Sequence, residues 1–405
     1  MTATATHTPL LPAGAALIET DAQALEAAEA LAQAFATGAA QRDRERALPY
    51  AALERFSASG LWGITVPRRF GGAQVSSATL AKVIARFAQA DGSLGQIPQN
   101  HFYALEVLRV NGTEAQQQRL FAEALAGVRF GNALAEFNTP NAALRTTRLH
   151  RHSAGWTIHG QKFYATGALF AQRVPTSVID DQGVQHLAFL SRDAHGLKVI
   201  DDWSGFGQRT TGSGSVVLDQ VPVLPEDVVP FQTAFERPTS VGPFAQILHA
   251  AIDIGIARGA YEATLAFVRE RARPWPDSGI EAASKDPLTV SEIGRLAIDL
   301  HAAEAVLARA GAQLDIARAT PTADSVAQAS LAVAAARALG TEVALLAGNK
   351  LIELGGARAC LIEDGLDRFW RNARVHTLHD PVRWKYHAIG NYHLNDQLPP
   401  RTGYL

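Results

Sequence analysis

The densest chemistry in this chain lies near its C-terminus, in the run His376-Thr-Leu-His379-Asp380-Pro381. An imidazole titrates near neutral pH and can give or take a proton, so His379 is a first candidate for catalysis. Asp380 beside it is a carboxylate that could pair with that ring. His376, His379 and His387 are three and eight residues apart and lack a partner carboxylate motif such as HExxH. No metal site is expected from them. A single cysteine, Cys360, excludes an internal disulfide framework and a Cys-rich metal site.

The elements that must position these groups follow from periodicity. Leu25, Ala28, Leu31 and Phe35 recur at helical spacing after a cap at Thr20 or Asp21, and Leu53 and Phe56 continue the pattern to a stop at Gly60. Ser76-Ser77 opens a helix with Leu80, Val83, Ile84 and Phe87 on one face, and Thr113 caps another. The middle is β-rich. Strands are expected around Leu187–Leu190 and Val216–Val223, with a hairpin turn at His159-Gly160. From Pro243 to about Asn372 the helical period returns, in long Ala-rich segments suited to an antiparallel bundle.

The chain has 405 residues, 37 Lys+Arg against 39 Asp+Glu, 47% apolar and 19% charged residues. This is a globular composition, neither disordered nor collagen-like. With a formal charge of -2 and no clustered basic surface, no nucleic-acid partner is expected. Met1–Gly14 has no basic, then apolar, signal pattern. The apolar stretches Ile247–Val268 and Ser325–Gly348 are interrupted by Asp253, Arg258 and Glu262 and by Arg337 and Glu342. Such charges disfavour a bilayer, so buried helices, no membrane and a reduced cytoplasmic setting are expected.

In its order of elements, and over about Ala22 to Trp384, the chain resembles the acyl-CoA dehydrogenase superfamily. The motifs that carry the resemblance occur in the family's order: Gly60-Leu-Trp-Gly-Ile-Thr-Val-Pro67 with Phe70-Gly71-Gly72, then Asn111-Gly-Thr-Glu-Ala-Gln116, then Phe121 to Gly127 leading to Ala133 and Glu136. Gly207-Gln-Arg209 through Ser215, Val221-Pro222 with Pro225-Glu226-Asp227, Leu354-Gly355-Gly356 and Arg371-Asn-Ala-Arg374 complete the set. The resemblance implies an α+β fold in three parts: an N-terminal α-helical domain (1–130), a central β-barrel domain (131–238) and a C-terminal four-helix bundle with a tail (239–405). It also implies flavin at the barrel–bundle junction and a homo-oligomer, usually a tetramer.

Where dehydrogenases of the family carry the glutamate of a "YEG" motif, this chain has His379-Asp380-Pro381, and Ala245 and Gln246 stand at the alternative position for the base. The "R..FG" segment that serves FAD reads Arg271-Ala-Arg273-Pro274-Trp275-Pro276. These features, with Thr166-Gly167, Trp203 and Gly207-Gln208-Arg209 to Ser213-Gly-Ser215, resemble the flavin-dependent monooxygenase branch, which includes dibenzothiophene monooxygenase and the sulfur-acquisition oxidoreductases. That branch uses FMNH2 from a separate NAD(P)H-dependent flavin reductase, and O2, to oxygenate a small organosulfur compound through a C4a-hydroperoxyflavin.

By the resemblance, His379, His101, Thr166 and Asn132 are the catalytic candidates. Thr166 would lie near flavin N5 and C4a, Asn132 would face the flavin, His101 would line the substrate side and Trp203 would wall the ring. Ser213, Ser215, Arg271 and Arg273 are phosphate candidates, with the arginines donated across a subunit contact. Gly355 and Gly356 are counted with the cofactor site. Structural roles stand beside these: a core histidine at 101, an amide tying a strand end at 132, core filler at 203 and a helix terminator at 355–356. Two other functions stay open, an FAD-dependent acyl-CoA dehydrogenase with Asp380 as base and a non-catalytic helical oligomer.

Overall fold

The computed structural model describes residues 14–136, 139, 144–153 and 155–405. Most of the stretch Met1–Gly14 lies outside them.

Seven helices come first: α1 (Asp21–Ala36), α2 (Ala39–Glu45), α3 (Tyr50–Ala58), α4 (Ser77–Ala90), α5 (Gly92–Gln96), α6 (Gln99–Asn111) and α7 (Glu114–Leu125). The expected caps hold them. Thr20 and Gln23 form a reciprocal capping box on α1, as do Thr113 and Gln116 on α7, and the Ser76 hydroxyl accepts from the Thr79 N–H on α4. Leu80, Val83, Ile84 and Phe87 are buried along one face of α4.

The middle is one seven-stranded sheet of β1 (Arg148–His152), β2 (Gly155–Lys162), β3 (Arg173–Ile179), β4 (Gln185–Ser191), β5 (Leu197–Ile200), β6 (Ser215–Val223) and β7 (Val228–Pro230). Its order is β5-β6-β2-β1-β3-β4-β7. All neighbours are antiparallel except β1 and β3, which are parallel at Arg148↔Ile179. The expected barrel is corrected to an open mixed sheet. Its two edges, β5 and β7, are its shortest strands and do not pair with each other. The expected turn at His159-Gly160 is also corrected. β2 runs straight through it with a bulge between Ile158 and Gly160, and the hairpin closes instead at His152↔Gly155. Gly160 has φ 153°, and a Cβ there would sit 2.6 Å from Thr147 Oγ1.

The last part holds α8 (Thr233–Glu236), α9 (Val241–Glu270), α10 (Pro287–Ala319), α11 (Ala323–Gly355), α12 (Asp367–His376) and α13 (Arg383–Asn395). α9, α10 and α11 pack on one another, and α4 lies along α9. One apolar core therefore runs through helices from both ends of the chain, while a second core fills the sheet. The helix beginning at Ala323 is long and apolar enough to cross a membrane, but 72% of its apolar window is buried inside the protein. It is a core helix.

Candidate active site

His379 stands in the turn after α12. That helix is clamped from the sheet side: the Asn372 carboxamide oxygen accepts from the Gln208 N–H at 2.6 Å, and Gly207 passes so close that a Cβ would lie 2.0 Å from the Arg371 carbonyl oxygen. His379 Nδ1 is 2.7 Å from the His376 carbonyl oxygen, and its Nε2 is 2.9 Å from Gln96 Nε2 on α5. A carbonyl only accepts, so Nδ1 carries the hydrogen and Nε2 accepts from the amide. The ring is neutral in this state. Burial among dense protein, with the Arg337 cation near, lowers its pKa although the side chain keeps an accessible edge. The Gln96 carbonyl oxygen is buried without a hydrogen bond.

Beneath His379 is a buried polar array. His376 Nδ1–H donates to Asp253 Oδ1 at 2.5 Å, and His376 Nε2 is 3.1 Å from His249 Nδ1. Asp253 also pairs with Arg337, and both are fully buried. Asp380 is held by Lys385 Nζ at 2.6 Å, accepts from Gln246 Nε2 at 3.2 Å and lies 4.0 Å from Arg337. Desolvation raises the Asp380 pKa, but Arg337 and Lys385 outweigh it and hold the carboxyl below its ordinary value. One ligand atom from each of His249, His376 and His379 lies within 4.8 Å of the others. The direct contact between His249 and His376 is a hydrogen bond that accounts for their approach, so no ligand role is assigned.

A second group of candidates lies in the sheet part. Thr166 Oγ1 is 2.7 Å from Ser213 Oγ, which is 2.6 Å from Thr211 Oγ1. Thr211 Oγ1 and Trp203 Nε1 both donate to the Gln208 carbonyl, each at 2.9 Å. Asn132 Nδ2 donates to the Tyr164 carbonyl at 3.1 Å, and its Oδ1 accepts from the Leu134 N–H. Tyr164 has φ 55° and is 47% exposed, with its ring 6.2 Å from that of Trp203. A Cβ on Gly167, next to Thr166, would sit 3.4 Å from the Ile97 carbonyl, one residue after Gln96. Gln96-Ile97 therefore touches both the Gly167 turn and His379.

Other candidates sit elsewhere. His101 is completely buried; its Nε2 donates to the Trp62 carbonyl at 2.8 Å and its Nδ1 accepts from the Phe130 N–H at 3.1 Å. Burial pushes its pKa down to about 3. With both nitrogens engaged by backbone, His101 braces α6 and offers nothing to a substrate, which corrects the catalytic expectation. Ser215 is corrected too: its N–H and hydroxyl both go to the Asp202 carboxylate, each at 2.7 Å, and a carboxylate there repels phosphate. Arg271 caps α9, pairs with Asp364 and stacks on Phe267, while Arg273 is exposed just beyond. Gly356 ends α11 with φ 67°, and a Cβ on Gly355 would meet Ala359 at 2.6 Å and Phe267 at 3.1 Å. Glycine answers a packing need at 355 and a left-handed backbone at 356. From His249 to Arg271 is 22 residues of α9, about 33 Å at 1.5 Å per residue, so one copy cannot bring both to one small ligand.

Gln96, His249 and Lys385 were not among the expected site residues. Asp253 and Arg337 carry one signal in the sequence, a charge inside an apolar helix.

The chain matches the acyl-CoA dehydrogenase N-terminal domain over residues 19–128 and the C-terminal domain over 247–384. It is 32% identical to dibenzothiophene monooxygenase of Rhodococcus qingshengii over 390 residues, 92% of this chain and 93% of that one. It is 31% identical to the probable FMNH2-dependent monooxygenase SfnC of Pseudomonas putida over 394 residues, 94% and 97% of the two chains. The crystal structure of FMN-bound TdsC from Paenibacillus sp. A11-2 superposes with a TM-score of 0.90 at 30% identity, covering 95% of this chain and all of that one. The chain thus belongs to the acyl-CoA dehydrogenase family, within the group that holds the dibenzothiophene monooxygenases.

Proposed function

We propose that this protein is an FMNH2-dependent monooxygenase that oxygenates a small organosulfur compound with O2. One observation carries the choice over dehydrogenation. The only carboxylate at the His379 turn, Asp380, is locked to Lys385 and Gln246 and kept ionised, while His379 presents a neutral Nε2. A base for a thioester α-proton must be free to take it and reach the carbon. Asp380 is neither, which argues against the FAD-dependent acyl-CoA dehydrogenase.

The residues present fit a reduced flavin. The Gln96 oxygen is an orphaned buried acceptor, Thr166, Thr211 and Ser213 form a chain of hydroxyls, and Trp203 with Tyr164 offers an aromatic wall. When bound, FMNH2 with O2 supplies the oxygen atom and the electrons. In this reading Thr166, whose hydroxyl hydrogen goes to Ser213, accepts a hydrogen bond from the cofactor edge, Asn132 fixes the Tyr164 backbone that shapes the wall, and His379 holds or returns a proton at Nε2.

The arginines serve the phosphate, with Arg271 and Arg273 from a second copy, while the Ser213 hydroxyl has its only hydrogen on Thr211. The span of α9 supports that division and with it a homo-oligomer, read here as a tetramer. A separate NAD(P)H-dependent flavin reductase would supply FMNH2. The parts remain 1–130, 131–238 and 239–405, with α9, α10, α11 and α12 supplying a four-helix bundle. A reduced cytoplasmic setting agrees with the lone, exposed Cys360.

The test is reductase-coupled turnover on sulfides, sulfoxides, sulfones, sulfinates and thiophenes under 18-O2, with product mass read by mass spectrometry. One labelled atom in the product is expected. Dye reduction by an acyl-CoA with no reductase present would replace this reading with dehydrogenation.

A further inference from the structure

His376 and its partners are buried titratable groups to which the reading above gives no task. Their hydrogen bonds run in one direction. Asp253 accepts from His376 Nδ1–H, so His376 in its neutral form has its lone pair at Nε2. His249 Nδ1, 3.1 Å away, must then carry the hydrogen of that contact. This leaves the lone pair of His249 on Nε2. No hydrogen bond to a described residue occupies that nitrogen. His249 keeps 8% of its surface accessible, and its ring lies 4.6 Å from the ring of His379. His379 is held in the same sense, with Nδ1–H on a carbonyl and its lone pair at Nε2. Two imidazoles thus stand side by side, each with an accepting Nε2.

We propose that His249 is a second proton-handling group of this active site, served by a relay through His376 to Asp253. What uses the proton rests on the monooxygenase reading; the relay itself does not. A proton taken at His249 Nε2 sends the Nδ1 proton to His376 Nε2, and the His376 Nδ1 proton passes to Asp253. One proton enters and one is stored as a carboxylic acid. Only N–H and O–H bonds change, and no electrons move. The reverse sequence returns the proton at His249 Nε2.

The surroundings allow the added charge. Facing the relay are Arg337 from α11, His379 and Asp380 from the turn after α12, Lys385 from α13 and the neutral Gln96 from α5. Asp253 and Asp380 balance Arg337 and Lys385, so a stored proton leaves the array at a single positive charge. Burial lifts the Asp253 pKa to about 6 and pushes both His249 and His376 well below the ordinary histidine value. The carboxylate is therefore the resting place for the proton.

The test uses the full chain labelled with 15N-histidine, first without flavin. His249 and His376 are expected as Nδ1–H tautomers at pH 8, passing to Nε2–H as one proton is taken up near pH 6. Asp253→Asn should keep the tautomers, because an amide oxygen can still accept, and abolish that uptake. His249→Gln should leave FMN affinity unchanged, shift the acid limb of the turnover profile and raise peroxide release several-fold. An Nε2–H tautomer at His249 in the unaltered protein at pH 8, where Asp253 holds no stored proton, would overturn the relay. So would a His249→Gln pH profile and coupling that superpose on those of the parent, even if Asp253→Asn fails to fold. Expected tautomers and uptake in a protein that oxygenates no organosulfur compound would instead reject the function and leave the relay standing.

Discussion

Lys385 Nζ lies 2.6 Å from Asp380 Oδ1, and both side chains are buried. Removing one partner of such a pair leaves an uncompensated buried charge, at about 3–5 kcal/mol. Asp380→Asn should therefore lose stability of that order in urea unfolding at pH 7. The acid dependence follows from the depressed Asp380 pKa. Its contribution is present above the unfolded carboxyl value of about 3.9 and is lost as pH falls through the lower folded value.

His379→Ala removes the accepting Nε2 while leaving the Thr166–Ser213–Thr211 hydroxyls in place. Product formation should fall by roughly 10²–10⁴ with FMNH2 still bound, and peroxide release should rise. The ratio of product to peroxide in a coupled assay checks this. Unchanged coupling would remove His379 from the chemistry.

Gln96→Glu would place a carboxylate against His379 Nε2, where the amide now sits at 2.9 Å. An opposite charge at that range raises a histidine pKa by about 1–3 units. The pH–rate profile should move up by that amount. A profile that stays in place would show that the ionisation in it is not that of His379.

Arg273→Ala should weaken FMN about tenfold or more while leaving riboflavin binding unchanged, because a guanidinium contributes through the phosphate. Equal losses for both flavins, measured by fluorescence quenching, would reject the phosphate role.

His101, held neutral with a pKa near about 3, takes up a proton only on unfolding between that value and about 6.5. The unfolded state binds more protons there, so this term stabilises the fold fully above about pH 6.5 and fades as pH falls, by up to about 1.4 kcal/mol per unit. His101→Asn should show a shallower loss of stability between pH 7 and 5 than the parent. Identical slopes would contradict the assignment.

Local rules were legible in the sequence because they act over a few residues. Thr20, Ser76 and Thr113 cap helices through hydroxyls that reach only the next turn, and the Leu80 to Phe87 stripe follows from helical periodicity. His379 and Thr166 stood out as functional candidates because motifs in a fixed order accompany them. Tertiary structure decided the rest, because a hydrogen bond depends on distance in space and not along the chain. Gln96 meets His379 across 283 positions, and Asp253 meets His376 across 123. The same holds against expectation: His101 and Ser215 have the right side chains, but folding gives their polar atoms to Trp62, Phe130 and Asp202. The open sheet was hidden for a like reason, since closure depends on whether two distant edge strands meet, and periodicity within a strand carries no record of that.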